Sequence, residues 1–468
     1  MKTVLTTLVA FVLLVSSKQL YAQEFEIINN EKTLRLDSLY SELFKYGEFN
    51  GNVLIAENGK IIYRKNYGIA NMVNKKALDE NSLFYLASVS KPFTATAILL
   101  LAKEEKLSLS DDMTKYIPEL SFYRGITIEN LVHHTSGLPD YMSLMDKKWD
   151  KSKFASINDI INFLNQENPE VLFLPNEKWE YSNTGYLLLA SIVERVSNKT
   201  YNEFLKENIF IPLDMNDTGV LFVHKDNLNF ADLAIGYEKD SSGNFTKDIK
   251  LKYLDGNYGP GGIYSTINDL YKFDRGLKNN RIVNQNDKEK MFTSSKLNSG
   301  EKTGYGFGWF VENKDPSGKI VRHSGNWPGY KINFSRHLDS DKTIILLQNN
   351  ANATGKMKSP TAETRNILYG LPVKKDVRLP TDLLQEISGV YITKEGKEDS
   401  IILRDNSLWI EMYQMQFELI PISQSKFKVE GFRPDVIYEF TKDKDGNIAK
   451  YRVQQLGTGV DRTAKRKK

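Results

Sequence analysis

"YLASVSKPFTATAILLLAKEEKLSLSDD" runs from Tyr85 to Asp112. An aromatic-apolar segment ends on two serines and a lysine and passes at once into a long apolar helix, and that junction decides the fold. Ser88 and Lys91 lie three positions apart, so on a helix they share a face, with the amine one turn above the hydroxyl. The helix N-terminus favours negative charge developing at that end. Pro92, in the first turn, lacks only an N–H that has no intrahelical partner there. The same Ser-x-x-Lys spacing recurs at Ser299/Lys302, Ser423/Lys426 and Ser425/Lys428, all in polar loops or strand-like segments. The signal is therefore the setting of Ser88 and not the spacing.

A serine hydroxyl attacks only after something takes its proton, and a lysine does so only when burial or positive neighbours depress its pKa from about 10.4. A second polar group to relay the proton is offered by "WEYSNTGYLLLASIVERV", in which Tyr181-x-Asn183 precedes another apolar helix. The plain alternatives are a half-buried tyrosine and a helix N-cap asparagine. A third element is "RHSGNWPGYKINF", where His323-Ser324-Gly325 ends a β-branched run before a turn. Such a strand presents a backbone N–H to an oxyanion and a side chain to a substrate. A competing triplet, Lys302-Thr303-Gly304, stands in "SGEKTGYGFGW".

Outward from these motifs, Thr33 to Tyr46 reads as a helix and "GNVLIAENGKIIYRKNYGIA" as a hairpin turning at Asn58-Gly59. Helices are expected over Pro92–Glu105, Ile157–Asn165, Thr184–Val196 and Tyr201–Asn208, the last opened by a capping box at Thr200 and Glu203. "YGFGWFVE", "GKIVRHSG", "YKINFSRHL" and "KTIILLQNN" read as strands, and Thr361–Tyr369 as a closing helix. An antiparallel sheet built from both ends of a domain thus encloses a largely helical middle. The segment 371–380 is charged, proline-bounded and aperiodic and reads as a linker. From 381 to 462 short alternating segments such as "DVIYEFTKD" suit a small antiparallel barrel or sandwich.

Composition narrows the function classes. With 40% hydrophobic residues, 24 Tyr and 24 Phe, the 468-residue chain is equipped for a large core in more than one domain. Residues 1–22 read as a secretory signal: Lys2, an apolar run from Val4 to Val15, and a small-residue site at Leu20-Tyr21-Ala22. That run is short for a bilayer span, so the expectation is an exported protein, periplasmic or secreted, without stable membrane insertion once the signal is cleaved. The chain has no cysteine, which excludes disulfides, thiolate catalysis and zinc-thiolate sites. The charge of +4 includes Lys2 and Lys18 of the signal and four cations in a basic tail at 463–468; without those six it becomes −2. Nothing in that balance points to nucleic acid. Five histidines without metal spacing suggest no metal, and no cofactor is expected.

Taken in order, Ser88-x-x-Lys91, Tyr181-x-Asn183 and His323-Ser324-Gly325 resemble the serine β-lactamase and penicillin-binding-protein superfamily. The Tyr-x-Asn form is similar to the class C β-lactamase branch, with its related esterases, D-aminopeptidases and D-alanyl-D-alanine carboxypeptidases. "LVHHTSGLPDY", "IPLDMNDTG", "YGPGGIYSTINDL" and "YGFGW" look like connecting phrases of that family, and coverage runs from about Asn50 to Asn350. The resemblance implies an α/β sandwich, an antiparallel sheet flanked by helices with a helical region, over 23–370. The remainder resembles the lipocalin-like domains found on some members. Family order places "YGxGW" before the functional triplet, which selects His323 over Lys302.

Carried over, the resemblance makes Ser88 the acylated nucleophile, Lys91 its base and Tyr181 the proton shuttle. Asn183 would bond the lysine or a substrate amide, and the backbone N–H groups of Ser88 and Asn326 would form the oxyanion hole, beside Ser324 and Gly325. His134 is expected to be structural. Where β-lactamases usually carry lysine, this chain has His323, which weakens a carboxylate site. That tilts the expectation toward hydrolysis of an ester, amide or D-amino-acid peptide and away from a β-lactamase or D-Ala-D-Ala carboxypeptidase. A non-catalytic penicillin-recognising or sensor protein is the alternative from a different class. The partner implied is a small-molecule or peptide substrate; the oligomeric state is not legible.

Overall fold

The structure is a computed structural model that describes residues 24–25, 30–226, 231–239, 245–247, 251–351, 360–373, 377–404, 406–412, 415–432, 434–455 and 458–467. The signal read at 1–22 lies outside the described residues. Two compact units divide between Leu371 and Pro372.

In the first unit seven described strands form one sheet. They are β1 (Glu24–Phe25), β2 (Gly51–Glu57), β3 (Lys60–Tyr67), β4 (Phe310–Lys314), β5 (Gly318–Trp327), β6 (Tyr330–His337) and β7 (Lys342–Gln348). The order across the sheet is β1-β3-β2-β7-β6-β5-β4, antiparallel throughout. The β2–β3 turn is Asn58-Gly59, both at positive φ, as a two-residue hairpin requires. β7 pairs with β2 from Lys342–Glu57 to Gln348–Gly51, so the two ends of the domain are zipped together at the sheet's centre.

Both faces of this sheet are covered. Helix α1 (Glu31–Lys45) starts with an Asn30/Thr33 capping box and buries Thr33, Leu36, Tyr40 and Leu43, a one-face helical spacing. Tyr40 stacks on Tyr63 of β3, and its hydroxyl bonds Thr364 in the helix Thr361–Leu368. The opposite face, carrying Leu54, Ala56, Ile345 and Leu347, enters the main core. There it meets α2 (Lys91–Lys103), α3 (Asn183–Ser197) and α4 (Ile267–Lys278). Two-sided burial explains why β2 and β7 read as continuous apolar runs instead of alternating ones. α2 is apolar nearly all round, with Lys91 to Leu99 all buried, as a helix enclosed by its neighbours must be. α4 was not anticipated, because its buried residues are spread among Asp269, Asp274 and Gly276.

The second unit opens with the helix Thr381–Ile387 and closes eight strands into a barrel, from Gly389–Thr393 to Val460–Arg466. Two sequence boundaries are corrected here. Val377 and Leu379, within the presumed linker, pack in the barrel's core. Residues 463–466, read as a solvated basic tail, lie in the last strand, where Ala464, Lys465 and Arg466 pair with Thr393, Ile392 and Tyr391. Only Ala464 of that strand's second half is buried. Its outward neighbours are charged, which hid the alternation, yet closure requires the strand because a barrel leaves no free edge.

Val436, Tyr438 and Phe440 point inward, and Phe440 packs edge-on against Phe427 and Tyr391. A fragment spanning 377–468 is expected to unfold in one cooperative transition, and Phe440→Ala to destabilise it by about 3–5 kcal/mol. Denaturant titration followed by near-UV circular dichroism checks both.

Candidate active site

Ser88 sits in a 3₁₀ turn, Ala87–Ser90, that feeds α2, and Lys91 is the first residue of that helix. Ala87 takes a left-handed φ of 47°, an unfavourable conformation for a residue with a side chain that turns the chain sharply just before the serine. The turn leans on β5 at Gly325. A Cβ there would stand 2.2 Å from the Leu86 carbonyl oxygen, so glycine is what lets turn and strand approach. Ser88 is half-buried, whereas Lys91 is completely enclosed.

The Lys91 amine lies 3.2 Å from Ser88 Oγ, 3.0 Å from Asn183 Oδ1 and 3.0 Å from the Pro260 carbonyl. Burial pushes its pKa well below 10.5, opposed in part by the Asp140 carboxylate. A neutral amine has two N–H groups and one lone pair. Asn183 Oδ1 and the Pro260 carbonyl are pure acceptors and take the two N–H groups, which leaves the lone pair for the Ser88 O–H. Pro260 reaches this position because Gly259, at φ 100°, folds the loop back onto Tyr186.

Tyr181 and Asn183 arrive together at the start of α3. The cap is Ser182, whose side chain accepts from Gly185 N–H, so Asn183 is not spent on capping. Tyr181 lies with its ring 4.7 Å from the Lys91 amine and its hydroxyl against Ser88; burial raises its pKa, so it is held as the neutral phenol. His134 ends the helix Ile128–His133 in the left-handed conformation, and its Nδ1 accepts from Ser182 N–H. Its ring packs on Tyr181, Tyr186 and Tyr305 at 4.4, 4.9 and 4.6 Å between centroids, a packing role.

His323, Ser324, Gly325 and Asn326 lie on β5, with His323 and Gly325 buried and Ser324 and Asn326 on the open face. β4 pairs with β5 only as far as Arg322, so from His323 onward that edge of β5 has no strand partner among the described residues. The literal Lys302-Thr303-Gly304 lies elsewhere, in a surface hairpin where Lys302 bridges Lys296.

His323 is buried more deeply than the sequence suggested. Its Nδ1 faces the Ser324 carbonyl at 2.8 Å, so Nδ1 donates and Nε2 is left to accept from the Tyr305 hydroxyl at 3.1 Å. Burial, reinforced by the nearby Lys91, pushes its pKa down to about 3. It is neutral at any working pH and has no free N–H.

Asp140, Pro260 and Tyr305 were missed as site residues. Each stands in a phrase already quoted, "LVHHTSGLPDY", "YGPGGIYSTINDL" and "YGFGW", but Pro260 acts through its carbonyl and Tyr305 through a histidine, and neither leaves a side-chain spacing to read.

Residues 36–368 match the family model described as Beta-lactamase. The chain is 37% identical over 434 residues to penicillin-binding protein 4* of Bacillus subtilis, covering 89% of this chain and 96% of that protein. In fold it is similar to the octameric penicillin-binding protein homologue from Pyrococcus abyssi, with TM-score 0.69, 22% identity and coverage of 93% and 100%. It is also similar to the D-amino acid amidase from Ochrobactrum anthropi SV3, with TM-score 0.61, 24% identity and coverage of 73% and 98%.

Lys91→Met is expected to raise thermal stability and, if Lys91 takes the Ser88 proton, to lower hydrolysis by about 10³-fold. Between its depressed folded pKa and 10.5 the unfolded chain holds a proton the folded chain does not, so wild-type stability rises with pH through that window. The stability advantage of Lys91→Met is therefore largest at neutral and lower pH and shrinks as pH approaches 10.5. Thermal melts of both proteins across pH measure it. In parallel, Lys302→Ala is expected to leave kcat/KM intact while His323→Ala changes it, in steady-state assays on one substrate. The family match over most of the chain, together with the long relative, settles the class: this chain belongs to the beta-lactamase family of serine hydrolases.

Proposed function

We propose that the protein hydrolyses an ester or amide, including D-amino-acid peptides, through an acyl-enzyme on Ser88. The observation that carries this reading is the disposition of Lys91, whose two N–H groups are taken by Asn183 Oδ1 and the Pro260 carbonyl beside a half-buried serine hydroxyl. Lys91 accepts the Ser88 proton as Oγ bonds to the substrate carbonyl carbon. The carbonyl oxygen becomes an oxyanion facing the backbone N–H groups of Ser88 and Asn326. Tyr181, a neutral phenol beside both groups, relays the proton to the leaving alkoxide or amine as the C–O or C–N bond breaks. A water then enters, loses a proton through the same residues, and releases the carboxylic acid product and Ser88.

The neutral, hydrogen-bonded His323 supports the choice of substrate class, because the site holds no cation there for a substrate carboxylate. A second reading, a β-lactamase or D-Ala-D-Ala carboxypeptidase, draws on the 37% identity to a protein named as penicillin-binding. Export to the periplasm or medium is part of the proposal and rests on the signal-like first 22 residues. Among the described residues no helix is long and apolar enough to cross a membrane.

The experiment is a hydrolysis panel of p-nitrophenyl esters, D-amino-acid anilides, a chromogenic cephalosporin and a D-Ala-D-Ala peptide on wild type and Ser88→Ala. Expected are turnover of esters or anilides above the cephalosporin, and a loss of about 10³-fold or more in Ser88→Ala. Fluorophosphonate should phosphonylate Ser88 Oγ, with fluoride as the leaving group. Retained turnover in Ser88→Ala overturns the mechanism, and a wild type that neither turns over nor labels would be a recognition protein.

A further inference from the structure

Asp140 lies between two duties. It is the N-cap of the helix Tyr141–Lys148, where Oδ1 accepts from Met142 N–H at 2.8 Å and Ser143 N–H at 3.4 Å. Its other oxygen, Oδ2, accepts from Asn183 Nδ2 at 3.0 Å, and the Asn183 amide also contacts Met142 Sδ at 3.7 Å. Asn183 Oδ1 in turn receives Lys91. The three groups form a chain from a helix cap, through an amide, to the buried amine.

An asparagine amide is nearly symmetric in shape and has two orientations, one presenting oxygen to Lys91 and one presenting NH₂. An ionised carboxylate is acceptor-only. It accepts the NH₂ and repels the oxygen, so a carboxylate at 140 selects the orientation in which Oδ1 faces Lys91. In the opposite orientation the NH₂ would face a Lys91 N–H and the oxygen would face the carboxylate, so both hydrogen bonds would be lost. We propose that Asp140 is a positioning residue for the Ser88–Lys91 pair, holding the Asn183 amide with its oxygen toward Lys91 and supplying a negative charge close to the enclosed amine.

The charge matters because of what else surrounds Lys91. Tyr181 and Tyr186 present aromatic faces at 4.7 and 5.5 Å and are held protonated by burial. His134 and His323 are held neutral by burial. Asp140 is the charge that acts on Lys91, and its effect opposes burial by favouring the ammonium. Asp140 thus orders the site at the expense of free base, and the pH at which hydrolysis switches on reflects that compromise.

The inference rests on Lys91 as the base, and the test separates the two. Asp140→Asn keeps a capping side chain of the same size and removes the charge. Asp140→Ser keeps a good N-cap but is too short to hold Asn183. In kcat/KM profiles on the best ester, Asp140→Asn should move the acid limb to lower pH, because Lys91 then loses its proton more easily. Its plateau should fall by less than tenfold, since Asn still accepts but no longer selects one amide orientation. Asp140→Ser should move the limb in the same direction and lower plateau kcat by about 10²-fold, the scale of a displaced catalytic group. Thermal melts matched to wild type establish that both are folded. Folded variants whose acid limb stays at the wild-type pH would overturn the role of Asp140. Full activity in Lys91→Met would instead overturn the reading of the base, whatever the Asp140 variants do.

Discussion

The amine of Lys91, with no exposed surface, is the constraint around which the first unit is organised. An ammonium moved into a protein interior loses several kcal/mol of hydration, so the group sheds its proton unless a counter-charge holds it. A neutral amine still has two N–H groups, and leaving them unpaired costs about 1–3 kcal/mol each. The fold answers with the Asn183 side chain and the Pro260 carbonyl, both placed by backbone features: a helix start capped by its neighbour Ser182, and a loop turned back at Gly259. The burial of α2 from Lys91 to Leu99 serves the same demand, because a wet first turn would hydrate Lys91 and return it to the ammonium form.

The second consequence is electrostatic. The wall opposite Lys91 is made of rings held neutral: Tyr181, Tyr186, Tyr305, His134 and His323. The Tyr305 hydroxyl donates to His323 Nε2, the one nitrogen that could otherwise have taken a proton and become a cation facing substrate. A second cation here would have lowered the Lys91 pKa further by repulsion. Without one, burial carries most of the shift, and Asp140 trims it from the other side. The wall around Lys91 thus offers hydrogen-bonding groups and ring faces, with His323 held neutral.

Much of this was legible in the residues, and what was not has identifiable causes. The hairpin at Asn58-Gly59, the helix starting at Lys91 and the strands around His323 follow from turn chemistry and apolar runs, which act within a few residues. His323 was legible as a replacement for lysine, but its depth was not, because burial of a strand residue depends on what packs against it. Asp140 stood in "LVHHTSGLPDY" without a role of its own, since one carboxylate both caps a helix and accepts from a distant asparagine. The last barrel strand was hidden by charges on its outward positions, where a closed barrel tolerates them. In each miss the deciding partner is distant in sequence.

That distance bears on when the site comes into being. Ser88 and Lys91 are three residues apart, but the acceptors of Lys91 lie 92 and 169 residues further on. His323 is held in place through β6 and β7, and β7 pairs with β2 so as to join Gln348 to Gly51. Loop closure over such separations costs entropy that local contacts do not repay, so these pairings form together with the core and not before it. Until then Lys91 is a hydrated ammonium and Ser88 an ordinary alcohol. Ser88 and Lys91 are local in sequence, but the enclosure of Lys91 belongs to the closed sheet and the buried helix, whereas Lys302 and Lys426 of the other Ser-x-x-Lys spacings are exposed and Lys428 is only partly buried.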